Sequence, residues 1–387
     1  MNAPETALRG QDTGAAGRLY MALELGDKKW IVAVSDGVRG TSHYTLEAGD
    51  KQAVLAALVK ARVRCGLAGK VVVHSCYEAG RDGFWLHRWL TEHGIDNIVV
   101  DSASIEVNRR ARRAKTDRLD AAKLLTMLMR YHGGERRVWS VVRAPTPQEE
   151  DARRLHRELS RLERERTAHR NRIGSLLVLH NLRPTVKIGG RGWQHWWESH
   201  AAQLPGCSRG EIERECARLA LVKAQIKGLE AAQQSAVAQG AHPLVAQLAR
   251  LRGIAVSSAW VLVHEVFAWR RFDNRRQLGG CLGLVGTPYQ SGEQRTEQGI
   301  AKIGNKRGRW IMVELAWAHL RYQPDSALSR WFNERFASGG KRLRRVGIVA
   351  LARRLLIALW RYLEQGVLPA GMRFKASFRA APSQVCA

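Results

Sequence analysis

The sequence predicts an α/β N-terminal domain built on a mixed sheet, then a long helical arm, then a mostly α-helical C-terminal domain. Three observations lead there. Short apolar runs alternate with helical spacing in the first third of the chain, an apolar ladder threads two highly charged segments in the middle, and the last third reads as helices punctuated by glycine.

The first of these can be followed element by element. RLYMALELGDKKWIVAVSDG sets two apolar runs around a Gly-Asp-Lys-Lys turn, the pattern of a β-hairpin, and residues 40–44 offer a third strand. From Lys51 to Cys65 the apolar positions Val54, Leu55, Leu58 and Val59 have helical spacing, and KVVVHS from Lys70 is a buried strand. Residues 83–93 read as a helix, NIVVDS from Asn97 as another buried strand, and 117–130 as a helix. Three strands of antiparallel type followed by alternating helices and strands describe a sheet of the ribonuclease-H type. A doubly wound nucleotide-binding fold would place a GxGxxG turn after the first strand, and that turn is absent.

From Asp151 the character changes. Leu155, Leu159, Leu162, Ile173 and Leu176 form a heptad ladder, with Arg166 and His169 on intervening rungs, and Ile212, Cys216, Leu219, Ile226 and Leu229 form a second. A Pro- and Gly-rich stretch at 183–209 with Trp193, Trp196 and Trp197 separates them, so the pair predicts an antiparallel coiled-coil arm. Beyond His242, LARLRGIAVSSAWVLVHEV puts a glycine turn between two apolar helices. That pattern is shared by ordinary helical hairpins and by helix–hairpin–helix units that offer backbone N–H groups to a phosphate. The resulting division is a disordered start (1–17), the α/β domain (18–145), the arm with its Trp-rich insertion (146–241), the helical domain (242–370) and a flexible tail (371–387).

Charge narrows the function. Against 63 Lys and Arg stand 35 Asp and Glu, a formal charge of +28. Self-repulsion on that scale is relieved by a polyanion, and counterion release makes nucleic acid the natural partner. Ribosomal or membrane-surface proteins share the charge, but the many tryptophans and apolar stretches argue against a simple coat or tail. The six cysteines are scattered with no CxxC, which fits reduced thiols rather than a zinc ribbon or disulfide framework. The N-terminal residues lack an apolar signal core and no run reaches the roughly 18 apolar residues of a membrane span, so the expected location is the cytoplasm, near the nucleoid.

Phosphoryl transfer on nucleic acid calls for clustered carboxylates that hold hard cations, in the two-ion case roughly 3.5–4 Å apart. Glu24 lies on the first strand, Glu78 follows the buried strand KVVVHS, and Asp117 and Asp120 share one helix face in KTDRLDAAKLL. Each alone has a plainer reading: an edge-strand charge, a loop acid, a helix cap with a dipole-favourable acid. Together, in this order and beside the basic flank Arg109, Arg110, Arg112, Arg113 and Lys115, they suit a ribonuclease-H-type nuclease. Ser291, in a PYQSG segment read as a loop, precedes Arg295, Lys302, Lys306, Arg307 and Arg309. By itself this is a turn serine on a DNA-binding surface.

In the order YEA, RRAKTDRLDA and PYQSGEQRTEQGIAKIGNKRGR, the chain resembles the DEDD insertion-sequence transposases. These have a RuvC-like N-terminal domain and a Transposase-20-type C-terminal domain, and include relatives among pilin-gene invertases and bridge-RNA-guided recombinases. The similarity runs from about Leu19 to Leu363. It implies Glu24, Glu78, Asp117 and Asp120 as ligands of Mg²⁺, in a two-metal site. Glu24 stands where the family pattern usually has Asp, and Asp27 in the following turn is the alternative. The resemblance further implies that Ser291 is a nucleophile forming a covalent serine–DNA phosphodiester. It implies donor and target DNA as partners, a structured guide RNA, and a homo-oligomer, a dimer or a tetramer. The rival functions are a RuvC-like nuclease that uses only water, for which Ser291 would be idle, and a non-catalytic nucleic-acid-binding protein, for which the acids would be idle.

Overall fold

The computed structural model describes residues 17–105, 116–291 and 294–376, without the side chains of 103, 288–291 and 294–298. Arg109, Arg110, Arg112, Arg113 and Lys115 lie outside the described residues. The chain divides into two compact units, 1–145 and 146–387.

The first unit is a six-stranded mixed sheet. Strands β1 (Gly17–Leu25), β2 (Lys29–Ser35) and β3 (Ser42–Glu47) form an antiparallel meander. Helix α1 (Lys51–Arg64), capped by the Asp50 side chain at Ala53 N, crosses to β4 (Val71–Glu78), which pairs with β1 in parallel. Helix α2 (Trp85–Glu92) leads to β5 (Asp96–Val100), parallel to β4, and helix α3 (Asp117–His132) precedes the short antiparallel edge strand β6 (Val141–Val142). The strand order is β3-β2-β1-β4-β5-β6.

Helices cover both faces of this sheet, and the two-residue period of the strands decides what each face holds. On β1, Leu19, Met21 and Leu23 pack with Val54, Leu58, Leu86 and Trp89 on the α1/α2 side. Tyr20 and Ala22, with Ala33 on β2 and Cys76 on β4, pack with Leu124, Leu125 and Leu128 of α3. Burial on both faces explains why β1 and β4 read as continuous apolar runs rather than alternating ones.

Among its described residues the second unit is helical apart from one hairpin and an isolated bridge between Leu251 and Phe374. Helix α4 (Pro147–Asp151) starts with a capping box between Thr146 and Glu149. Helices α5 (Arg154–Leu179) and α7 (Gly206–Ala238) run antiparallel, joined by Leu159 and Leu162 with Val222 and Ile226 in one stretch and by Ile173 and Leu177 with Ile212 and Leu219 in another. The polar rung is paired: His169 Nδ1 lies 2.6 Å and Arg172 Nη1 3.0 Å from the buried carboxylate of Glu215. Between the long helices, α6 (Trp193–His200) folds Trp193, Trp196 and Trp197 into their core, so the tryptophans of the insertion are packing residues.

Helices α8 (Pro243–Ala249), α9 (Val256–Leu262), α10 (Arg275–Cys281), α11 (Lys306–Tyr322), α12 (Ala327–Phe332) and α13 (Lys341–Gln365) enclose the unit's largest core around Leu262, Met312, Leu351 and Leu355. The glycine turn between α8 and α9 is committed inside the fold: Arg252 N–H donates to Arg373 O, and Gln323 Nε2 donates to Arg252 O. This geometry favours the ordinary helical hairpin. Ser257 and Ser258 fall in the first turn of α9.

Candidate functional site

All four candidate metal-binding acids can be placed by strand register and one helix direction. Ala22 pairs with Cys76 and Leu23 with Tyr77, so Glu24 and Glu78 take the next rung, side by side at the C-terminal ends of β1 and β4. Alternation directs both toward the face that Tyr20, Ala22 and Cys76 present to α3. That helix runs against the strands. Its last residue, His132, lies on His74, and Cys76 Sγ is 3.8 Å from Leu124 O, so the first turn with Asp117 and Asp120 lies toward the Glu24 and Glu78 end.

The helix cap is Thr116, whose hydroxyl accepts from Leu119 N at 3.3 Å, and capping therefore does not account for either aspartate. Glu24 and Asp120 are half-buried, Glu78 and Asp117 exposed. Among the described residues, no three of these carboxylates come within 4.8 Å of one another. Four oxygen-only donors at one end of a sheet face suit a hard cation such as Mg²⁺, with side-chain rotation needed to close on it. Asp27 is directed elsewhere: its exposed carboxylate is 2.5 Å from Arg81.

The serine segment is a β-hairpin where the sequence suggested a loop. Strand β7 (Gly286–Ser291) pairs with β8 (Gln294–Ile300), with Ser291 the last residue of its strand, opposite Gln294. Pro288 is tolerated because a register irregularity next to it disrupts the ladder. The hairpin's base is stitched tightly: Ala301 N donates to Val285 O, Lys302 N to Gly283 O and Asn305 N to Cys281 O. Gly283 (φ +63°) and Gly304 (φ +89°) allow this approach, since a Cβ at Gly283 would strike Ile303 O and one at Gly304 would strike Cys281 O.

Of the basic residues singled out from sequence, Arg309 is used within this base, donating to Leu282 O at 2.8 Å and Ile303 O at 3.2 Å. Lys302, Lys306 and Arg307 are exposed. Arg295 pairs with Gln290 through its backbone, and its side chain is outside the described residues. A basic groove that no sequence motif marked lies nearby in the same unit. It has a volume of about 1450 Å³ and is lined by Arg275, Lys302, Arg342, Arg345, Arg353 and Trp331, among others. Its cations come from α10, from the segment before α11, and from α13, whose arginines are dispersed between the apolar residues of a core helix.

Comparison with known proteins now bears on this arrangement. Residues 245–332, from α8 to the end of α12, match the model described as "Transposase IS116/IS110/IS902 family". The chain is 39% identical over 379 residues, 93% of its length, to a Sinorhizobium fredii protein named "Putative transposase y4rJ", of which 95% is covered. The chain belongs to the IS116/IS110/IS902 transposase family.

A second Sinorhizobium fredii protein, "Putative transposase y4qE", is 32% identical over 65% of this chain and 60% of its own length. The "Transposase for insertion sequence element IS1533" of Leptospira borgpetersenii is 25% identical over 64% of this chain and 70% of its own. The transposase resemblance read from the sequence is thus shown, and with it an enzyme that cuts and rejoins DNA. No helix among the described residues is long and apolar enough to cross a membrane.

Within the family-matched region of this transposase lies a residue the sequence did not single out. Glu265, in the π-helical turn Val263–Phe267, has only 1% of its side chain exposed. It faces His156 Nε2 at 2.8 Å and accepts from Arg157 Nε at 2.9 Å and from Asn305 Nδ2 at 2.8 Å. Burial pushes its carboxyl up, but the His156, Arg157 and Asn305 donors outweigh that and hold it well below the usual carboxylate range. Asn305, the Asn of the GN..GR signature, also caps α11 by accepting from Gly308 N at 2.9 Å. The signature residues Gly304, Asn305 and Arg309 thus build the platform from which the serine hairpin projects. Only the partners of Glu265, dispersed from residue 156 to residue 305, reveal its role, so a local motif could not have found it.

Proposed function

We propose that this transposase cuts and rejoins DNA with a metal-assisted carboxylate site, Glu24, Glu78, Asp117 and Asp120, and with Ser291 as nucleophile. The observation that carries the reading is the placement of Ser291 at the end of a strand in a hairpin whose base is clamped by Gly283, Gly304, Asn305 and Arg309. A nucleophile gains from rigid support because a misplacement of 1 Å costs on the order of 10²-fold in rate.

The chemistry would run as follows. The Ser291 oxygen attacks phosphorus, forming a serine–DNA phosphodiester as the ester bond from phosphorus to a deoxyribose oxygen breaks, and the proton given up by the serine hydroxyl is balanced by the one the leaving oxygen takes up. Attack by a strand hydroxyl on that ester then releases the serine and joins the new strands, conserving the bond energy. Mg²⁺ held by the four carboxylates would supply charge neutralisation. Strand order supports a ribonuclease-H-type, RuvC-like first unit: an antiparallel meander, then β4 and β5 parallel to β1.

The antiparallel α5/α7 pair supports a coiled-coil arm and, through it, a dimer or tetramer, since strand exchange needs at least two serines. The basic groove would bind donor or target DNA or a structured guide RNA, and this charged, nucleic-acid-bound protein would work in the cytoplasm near the nucleoid. The test is a denaturing gel of the enzyme with a nicked suicide substrate and Mg²⁺. An adduct that maps to Ser291 and disappears in Ser291→Ala supports the reading. Cleavage with no adduct would assign the reaction to water and end the serine mechanism.

A further inference from the structure

A second cluster of metal-ligand types sits at the opposite end of α3 from its aspartates. Helix α3 begins at Asp117 and ends at His132, a separation of about 22 Å at 1.5 Å per residue. His132 packs on His74 with ring centroids 3.8 Å apart, and Tyr20 stacks on His74 at 5.5 Å while lying 6.2 Å from His132. His74 and Asp96 are register partners on β4 and β5, and His74 Nδ1 lies 2.8 Å from Asp96 Oδ2. One donor atom from each of His74, Asp96 and His132 falls within 4.8 Å of the others, which among the described residues is the case for this group alone.

An ordinary His–Asp ion pair explains two of the three residues and leaves the third unexplained. Among the described residues, His132 Nε2 is buried with no hydrogen-bond partner, an unfavourable arrangement for a polar ring nitrogen. We propose that His74, Asp96 and His132 bind one borderline divalent metal ion of the zinc type, tying the C-terminal end of α3 to β4 and β5. Two imidazoles and one carboxylate match that class of ion, whereas the oxygen-only acids at the other end of the helix match a hard one. A tetrahedral ion with ligand distances of about 2.0–2.2 Å needs its donors roughly 3.4 Å apart, within reach of small rotations from the present spacing.

Binding exchanges the hydrogen shared by His74 and Asp96 for the metal, and the half-exposed Asp96 side chain leaves room for water as the fourth ligand. Burial lowers the His132 pKa, helped by the charges of His74, Arg136 and Arg18 and opposed by Asp96. Those two arginines weaken the attraction for a cation, and the Asp96 carboxylate offsets one of them.

The experiment uses the full chain without a polyhistidine tag, stripped with chelator and titrated with Co²⁺ and Zn²⁺. The expected result is one equivalent bound with the visible absorption of tetrahedral Co²⁺, and a Tm about 5 °C higher in excess Zn²⁺. Asp96→Asn and His132→Gln should lose that equivalent, while Asp117→Asn keeps it, which separates this site from the catalytic acids. His132→Cys should keep binding and add a thiolate-to-cobalt charge-transfer band, a signal that only direct ligation produces. An unchanged equivalent in both Asp96→Asn and His132→Gln, or no Co²⁺ absorption in the parent chain, would overturn the site.

Discussion

Asn305 spans two jobs with one side chain: its amide nitrogen donates to Glu265 Oε2 at 2.8 Å, and its amide oxygen accepts from Gly308 N at 2.9 Å. The first bond compensates a buried carboxylate and the second satisfies an orphan donor at the start of α11. Because the adjoining Gly304 is pressed on Cys281, this one residue connects the π-helical turn, the helix and the hairpin that carries Ser291.

Replacing Glu265 by Gln keeps the volume but leaves Arg157 and its neighbours without their anion. Removing one member of a buried pair costs roughly 3–5 kcal/mol, and with Arg157 32% exposed the loss should be nearer 2–3 kcal/mol, or about 5–10 °C in Tm. Differential scanning calorimetry checks this, and a shift under 2 °C would deny the cluster its structural role.

The same carboxylate predicts a pH dependence. Its folded pKa is depressed, so its contribution is fully present above the unfolded value of about 4.3 and is lost as pH falls through that value toward the folded one. The parent Tm should drop more steeply than that of Glu265→Gln below about pH 5. Parallel Tm curves for the two proteins across that range would refute the assignment.

Gly304→Ala should damage the hairpin base more than a surface mutation would. The φ of +89° alone costs on the order of 1–3 kcal/mol for a residue with a Cβ, and the added methyl meets Cys281 O as well. Lowered Tm together with loss of DNA joining is expected, whereas Gly49→Ala, also at positive φ but with open space around it, should cost only the backbone part. Equal effects of the two substitutions would show that the clamp against Cys281 is unimportant.

Asp117→Asn and Asp120→Asn should each abolish strand cleavage while nucleic-acid affinity stays within a few-fold, and Glu24→Ala should behave likewise. Asp27→Ala should be mild, since an exposed ion pair such as that with Arg81 contributes about 0–1 kcal/mol. Cleavage assays in Mg²⁺ decide it: normal activity in both Asn variants removes the metal-site assignment.

Affinity for DNA should fall steeply with salt, with a log–log slope near −0.9 for each phosphate neutralised. Replacing Arg342, Arg345 and Arg353 by alanine should flatten that slope by about two to three. An unchanged slope would move the nucleic acid off the groove.

Local sequence patterns were enough for much of the first unit. The turn at Gly26 to Lys29 and the apolar runs on either side specify the β1–β2 hairpin, because alternation and turn chemistry act over a few residues. Helical spacing likewise marked α1, α3 and the two long helices, and the SGE and GN..GR segments were enough to point to the family. The neighbours Glu24 and Glu78, however, stand 54 positions apart, and only the parallel pairing of β1 with β4 sets them side by side on one rung.

What the tertiary structure alone decided is who partners whom at long range. Sequence could list Glu265, His156, Arg157 and Asn305 as ordinary polar residues, since none has a local pattern that announces burial. Whether a charge is buried depends on elements brought together by the fold, and a carboxylate is stable there only when donors from those elements meet it. The same reason hid the basic groove, whose arginines on α13 are dispersed among core leucines and join Lys302 only after folding. It also recast the PYQSG segment, because strand pairing across the hairpin outweighs the glycine and proline that, read locally, suggested a loop.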